Sequence, residues 1–351
     1  MRKKILTAII GAGSQANNWA RALIKHSDYD LKYVNSRDIK LGESFSKTYN
    51  CKYEQDETKL ANNSNVDLVI FSTEPSRQIK SVYFANHKKN LILEKPLALE
   101  KQSALEIYNA CKNNKIQCGA GLNRHYDTFI PKVKYYLEKF NWICHSVDFK
   151  SFLKSDEIDD VLNSDRVNKH GDLIISGLVH KFDQMNLIFG SPKKLIAKKL
   201  DVTQNNILTQ TQVSVEYPGN LLVNFMINNN CQVNHGEEII FYCNKGVIHV
   251  NFNLETVSVI SNFLQDKVSR SILSKFKSNL LKGNFFKFNL KKVIEAYNFK
   301  VGGQEDILNS FSDQYFTDDK IDLVNIDNNF LSTKMAFACY DSIKQDKWVL
   351  I

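Results

Sequence analysis

Four stretches of this chain carry residue types whose spacing is suited to chemistry. Gly11-Ala12-Gly13-Ser14-Gln15-Ala16 sets two glycines and a small residue at G-x-G-x-x-A spacing. Gly11 permits a tight turn and Gly13 lets the backbone approach a pyrophosphate. Ala16 lets a following helix pack close to its strand, with the free amides of the helix N-terminus turned to the phosphates. About twenty residues on, Ser36 and Arg37 offer a hydroxyl and a guanidinium, a pair that holds a ribose 2′-phosphate and favours NADP over NAD. The alternative keeps NAD, with Asp38 swung in to take the ribose hydroxyls. Glu94-Lys95-Pro96 places an ammonium after an apolar run and fixes its backbone with a proline; a catalytic lysine and a plain surface turn both fit that pattern. His180 lies in the apolar stretch Leu178-Val179-His180. It reads either as a packed core residue or as an acid/base whose ordinary pKa of about 6.5 makes both protonation states accessible near neutrality.

The elements around these residues are legible from periodicity. Ile5 to Ile10 is a short, nearly continuous apolar run, the mark of a strand buried on both faces. It enters the glycine turn directly, and Ala16, Ala20, Leu23 and Ile24 then recur at helical spacing. Leu31 to Asn35, Val66 to Phe71 and Asn90 to Leu93 repeat the strand pattern, with a helix predicted over 79–89. This β-α-β rhythm predicts a doubly wound parallel sheet whose strand ends face a cofactor crevice. Ser36-Arg37, Ser72-Thr73 and Glu94-Lys95 stand at those ends, and with Gly11, Gly13, Ser14 and Gln15 they form the expected cofactor-binding set. Beyond residue 190 the pattern changes to period two. Thr211–Tyr217 and Leu221–Phe225 flank Pro218-Gly219-Asn220, and Glu238–Tyr242 and Val247–Val250 flank Asn244-Lys245-Gly246, which predicts antiparallel hairpins.

Taken together, Ile9-Ile10-Gly11-Ala12-Gly13 and, some eighty residues later, Leu93-Glu94-Lys95-Pro96-Leu97-Ala98 resemble the glucose–fructose oxidoreductase/inositol dehydrogenase (Gfo/Idh/MocA) family. The likeness continues through Gly121-Leu122-Asn123-Arg124 and through the segment Gly171 to Asp183, which ends in an H-x-x-D helix. It covers most of the chain in order. It implies an α/β protein: an N-terminal Rossmann domain over residues 1–123, then a C-terminal α+β domain over residues 124–351. The second domain would carry an open, mostly antiparallel sheet, with the substrate between that sheet and the nicotinamide. By this resemblance Lys95 hydrogen-bonds the reacting oxygen and the cofactor ribose. His180 is then the general acid/base, and Arg124, Asp172, Ser176 and His180 meet the substrate.

The resemblance also implies NADP (alternatively NAD) as cofactor, a sugar or nucleotide-sugar substrate, and a homo-oligomer formed through the C-terminal sheet. A non-catalytic cofactor-binding regulator, or a reductase of a non-sugar substrate, stand as alternatives on the same fold. The chain departs from the family where an aspartate commonly precedes the histidine by four residues: it has Ser176 there. Asp183, three residues after His180, is the expected replacement for orienting the imidazole and joins the catalytic set; Asp172, eight before, is a second. Gln78 also stands where the family commonly has a histidine, and the family's triple glycine is reduced to Gly171.

Composition sets the outer bounds. With 351 residues, 43% hydrophobic, 24% charged and 11% aromatic, wholesale disorder is excluded, and about two domains are expected. The net charge of +8 fits an anionic ligand and falls short of a nucleic-acid-binding stripe. Seven scattered cysteines without a C-x-x-C pair predict reduced thiols, and neither a zinc site nor any other metal is expected. Met1-Arg2-Lys3-Lys4 starts like an export signal, but the apolar run after it is short, so a soluble cytoplasmic protein without a membrane span is expected. A basic stretch over 265–300 reads as an amphipathic helix and loop with its lysines in water.

Overall fold

The fold is described from a computed structural model, for residues 3–154, 164–202, 207–231, 234–261, 293–317 and 323–351. The expected basic segment therefore falls, up to residue 292, outside the described residues. The N-terminal half alternates β1 (Ile5–Ile10), α1 (Ser14–Lys25), β2 (Tyr29–Asn35), α2 (Ile39–Tyr49), β3 (Lys52–Tyr53), α3 (Glu57–Asn62), β4 (Leu68–Phe71), α4 (Ser81–Asn86), β5 (Asn90–Leu93), α5 (Lys101–Asn114) and β6 (Cys118–Ala120). The strands pair in parallel in the order β3-β2-β1-β4-β5-β6, which places the end of β1 between those of β2 and β4. That is the dinucleotide-binding strand order, with its crevice at the point where the winding reverses. Ala8, Ile9, Ile10, Val69, Ile70, Leu91 and Ile92 are buried because helices cover both faces of the sheet. On α1, Ala16, Ala20 and Leu23 face the sheet as the periodicity predicts, but Ile24 is 58% exposed and Trp19 takes the inward position instead. The helix predicted over 79–89 is shorter: a 3-10 turn covers Pro75–Lys80, and α4 ends at Asn86.

The second half comprises α6 (Phe129–Lys139), β7 (Cys144–Lys154), α7 (Ser164–His170), α8 (Val179–Phe189), β8 (Lys194–Val202), β9 (Leu208–Tyr217), β10 (Leu221–Cys231), β11 (Gly236–Cys243), β12 (Gly246–Asn251), β13 (Thr256–Ser261), β14 (Val293–Asn298), α9 (Gln304–Thr317), α10 (Ile326–Gln345) and β15 (Val349–Leu350). Nine strands form one sheet in the order β14-β13-β12-β11-β7-β10-β9-β8-β15, antiparallel throughout except for the β7–β10 pair. Both predicted hairpins are present: Leu221 pairs with Tyr217, and Gly246 with Cys243. Alternation along β9 and β10 buries Val213, Val215, Val223 and Phe225 on the face turned to α8, where Phe182 meets Phe225 edge-to-face.

The chain returns to the first domain near its C-terminal end. Tyr29 Oη donates to the carbonyl of Leu308, Gln117 Nε2 to that of Phe311, and the Ala120 amide to that of Val324. Helices α9 and α10 thus pack against the first half of the chain from beyond the boundary expected at residue 123. Among the described residues, no helix is long and apolar enough to cross a membrane.

Candidate active site

The glycine turn is held open by backbone contact with its neighbour strand. Gly11 adopts φ +113°, and a Cβ there would lie 2.2 Å from the Ser72 carbonyl oxygen, so only glycine fits. Gly13 is extended and precedes α1; a Cβ on it would meet nothing within 4 Å, and the first turn of α1 has no acidic residue. Open space beside uncapped amides at a helix N-terminus, without a competing carboxylate, is what a pyrophosphate requires. Ser14 and Gln15 are exposed at that end, and the buried Ser72 Oγ, on the far side of the turn, has no hydrogen-bond partner among the described residues. These features fit a dinucleotide lying along Gly11, Gly13, Ser14, Ser72 and Thr73.

At the end of β2, Ser36 is buried and Arg37 exposed. Asp38 is spent locally: its Oδ1 accepts the Leu41 amide at 3.0 Å and caps α2. Arg37 pairs with Glu74, whose Oε2 lies 3.4 Å from the guanidinium.

Glu94 and Lys95 are fixed from three directions. Trp19 Nε1 donates to Glu94 Oε1 at 2.7 Å, and Gln15 Nε2 reaches the same oxygen at 3.3 Å. The buried Asn329 of α10 donates to the carbonyls of Leu93 and Glu94, and Thr333 Oγ1 accepts the Leu97 amide. Gln78, where the family commonly has histidine, donates to the Pro96 carbonyl at 2.7 Å, and the Lys95-Pro96 peptide is cis. Gly121 is needed beside this turn, because a Cβ there would lie 2.7 Å from Glu94 Oε2. Burial pushes the Glu94 carboxyl up, against the hydrogen bond from Trp19 and the charge of Lys95. Burial pushes the Lys95 ammonium down, with Glu94 opposing and Arg166 of α7 reinforcing.

Lys95 meets the second domain at one atom: its Nζ donates to the Ser176 carbonyl at 2.8 Å. Ser176 belongs to a wide π-helical turn, Leu173–Leu178, that runs straight into α8 and so into His180. Asp172 begins that turn; its Oδ1 accepts the amides of Ile174 and Ile175 and the hydroxyl of Tyr340. Gly171, at φ +85°, turns the chain just before it. His180 stands at the start of α8, and among the described residues its buried Nδ1 has no hydrogen-bond partner. Its pKa is held well below the ordinary imidazole value, by burial first and then by the charges of Lys95, Lys181 and Arg124. The ring is therefore neutral at neutral pH.

None of the side chains expected to orient His180 does so. Asp183 turns away to His125, whose Nδ1 lies 2.9 Å from Asp183 Oδ2 in the core. Successive positions on a helix differ by about 100°, so a three-residue offset shares a face without fixing a contact. Ser176 Oγ donates to the Asp172 carbonyl at 2.6 Å, and the carboxylate of Asp172 is committed to its cap and Tyr340. Asp183 thus moves from the catalytic set to the packing of α8, and Ser176 acts through its backbone carbonyl on Lys95. Arg124 is half-buried, 3.5 Å from Asp127 and over the ring of Phe252, and bears on His180 through charge. Sequence reasoning missed Trp19, Asn329 and Glu74. The first two carry only a core and a helical signal along the chain, whereas Glu74 sits at a strand end next to two residues that were chosen. Among the described residues, no group of three or more His, Cys, Asp or Glu could hold a metal ion.

Comparison with known proteins agrees with this fold. Residues 5–122 match the model of the oxidoreductase family with NAD-binding Rossmann fold, GFO_IDH_MocA. The oxidoreductase YrbE of Bacillus subtilis (strain 168) is 25% identical over 197 residues, which are 54% of this chain and 55% of that protein. The chain thus spans about half the length of that relative. The solved structure of the WlbA dehydrogenase from Bordetella pertussis, in complex with NADH and UDP-GlcNAcA, superposes with TM-score 0.81 at 11% identity, covering 100% of this chain and 99% of that one. Levoglucosan dehydrogenase in complex with NADH superposes with TM-score 0.80 at 12% identity, over 99% of both chains. At these identities the likeness is one of fold.

Proposed function

With its Rossmann domain a member of the NAD-binding Gfo/Idh/MocA oxidoreductase family, we propose that this chain is an NAD(P)-dependent dehydrogenase or reductase acting on the CH–OH group of a sugar-like substrate. The observation that carries the reading is the half-buried Lys95 at the end of β5, whose Nζ is held on the carbonyl of Ser176 in the turn that runs into His180. Gly11, Gly13, Ser14, Gln15, Ser36, Arg37, Ser72, Thr73 and Glu94 would hold the dinucleotide, whose nicotinamide C4 supplies hydride exchange when it is bound. His180, already deprotonated, takes the substrate hydroxyl proton; Lys95 stabilises the negative charge that develops on the same oxygen. Carrying the Ser176 carbonyl on its Nζ, Lys95 keeps its position while a substrate enters. Arg124, Asp172 and Ser176 stand on the substrate side, Asp172 by shaping the turn that presents His180.

Structural neighbours bound to NADH with a nucleotide sugar or acting on levoglucosan support a sugar or nucleotide sugar as substrate. NADP stays the proposed dinucleotide, on Ser36 and Arg37, with NAD as the alternative; assembly through the open sheet and a cytoplasmic site complete the reading. One observation favours the non-catalytic alternative: among the described residues, no carboxylate hydrogen-bonds His180 Nδ1. Single-turnover hydride exchange with a panel of sugars and nucleotide sugars separates the two. Turnover that is lost in Lys95→Met and in His180→Ala, with dinucleotide binding retained, is the expected result. Full turnover in either variant would refute the assignment.

A further inference from the structure

The crevice contains a carboxylate that the dinucleotide set does not use. Glu74 follows β4, and its Oε2 lies 3.4 Å from the Arg37 guanidinium at the end of β2. Since β1 lies between these two strands, the ion pair spans the end of β1 where the glycine turn starts. With β1 between them, β2 and β4 lie about 10 Å apart, two strand spacings, and an arginine and a glutamate reaching towards each other close that gap above the turn. The loop bearing Glu74 is pinned there: the Ser72 carbonyl and the Thr73 methyl are the nearest atoms to the missing Cβ of Gly11. Asp38 caps α2, which leaves Glu74 as the acidic group facing Arg37. A ribose 2′-phosphate at Arg37 would therefore have to displace a carboxylate already in place, and would meet its charge at close range.

We propose that Glu74 sets the choice between NAD and NADP by occupying Arg37, so that the guanidinium at the β2 end is withheld from a 2′-phosphate until Glu74 gives way. The inference rests on the dinucleotide reading above and concerns how this chain's own residues rank two ligands. The pair is exposed, 67% at Arg37 and 30% at Glu74, so its strength is that of a surface ion pair.

Kd values for NADPH and NADH are measured by fluorescence titration of the full chain: wild type, Glu74→Gln, Arg37→Ala and the double variant. Circular dichroism checks that each is folded. Glu74→Gln is expected to tighten NADPH roughly fivefold and to leave NADH nearly unchanged, the ratio moving by the value of one exposed ion pair. In the Arg37→Ala background the same substitution is expected to leave the ratio where it was. A folded Glu74→Gln whose NADPH-to-NADH ratio equals that of wild type overturns the proposal alone, as does a fivefold effect that persists without Arg37. A wild-type chain that binds neither dinucleotide overturns the dinucleotide reading and the proposal with it.

Discussion

Trp19→Phe probes how the glycine-turn helix holds the catalytic strand end. Trp19 is fully buried and gives Glu94 its shorter hydrogen bond, 2.7 Å against 3.3 Å from Gln15. Phenylalanine keeps the apolar contact and removes the donor. A hydrogen bond to a charged acceptor contributes about 1.5–3 kcal/mol, and the smaller ring adds about 1 kcal/mol of lost volume, for a total of about 3 kcal/mol where the carboxylate is ionised. The pH dependence identifies the cause. Burial already raises the Glu94 carboxyl above its unfolded value, so its ionised form costs stability as pH rises from the unfolded pKa through the folded one. Without the indole donor the folded pKa rises further, the native state binds more protons across that window, and the deficit grows with pH. On the acid side of that window only a neutral hydrogen bond is lost, and the deficit falls by about 1 kcal/mol. Urea unfolding of both proteins at pH 5, 6.5 and 8 measures it. A deficit that stays constant with pH, or one below about 0.5 kcal/mol, would refute the claim that Trp19 supports a charged Glu94.

Two further substitutions test other parts of the site. Gly11→Ala forces a side chain to within 2.2 Å of the Ser72 carbonyl at φ +113°, and is expected to cost several kcal/mol of stability, of order 3 or more, and to abolish dinucleotide binding. Calorimetry with and without NADH reads both effects, and near-normal binding would place the dinucleotide elsewhere. Asp183→Ala strips the buried partner from His125 and is expected to destabilise by about 3 kcal/mol, while the pH profile of any turnover keeps its shape. A shifted profile with unchanged stability would return Asp183 to the catalytic machinery.

The strand-turn-helix entry, the parallel sheet and the antiparallel hairpins were legible because each is written in short-range terms. Runs of apolar residues, period-two alternation and glycine at a turn report backbone geometry within a few residues. Gly11 is the clearest case, since its type records a close approach that no other residue tolerates. Lys95 and His180 could be selected from their motifs, and the fold joins Lys95 to the turn that runs into His180. What could not be read was the set of partners. Asp183 looked like the orienter of His180 by helical spacing and binds His125, fifty-eight residues away in sequence. Ser176 contributes a carbonyl to Lys95 rather than a side chain to the imidazole.

From its sequence alone the chain declares two kinds of sheet, a glycine turn shaped for a pyrophosphate, and a lysine and a histidine worth testing. Only the tertiary structure decided that Trp19 holds Glu94, that Glu74 holds Arg37, and that Lys95 meets the Ser176 carbonyl. The physical reason is range. Periodicity fixes which face a side chain is on, whereas a hydrogen bond or ion pair needs atoms within about 3–4 Å. That distance is set by strand order, helix rotation and the return of α10 across the first domain.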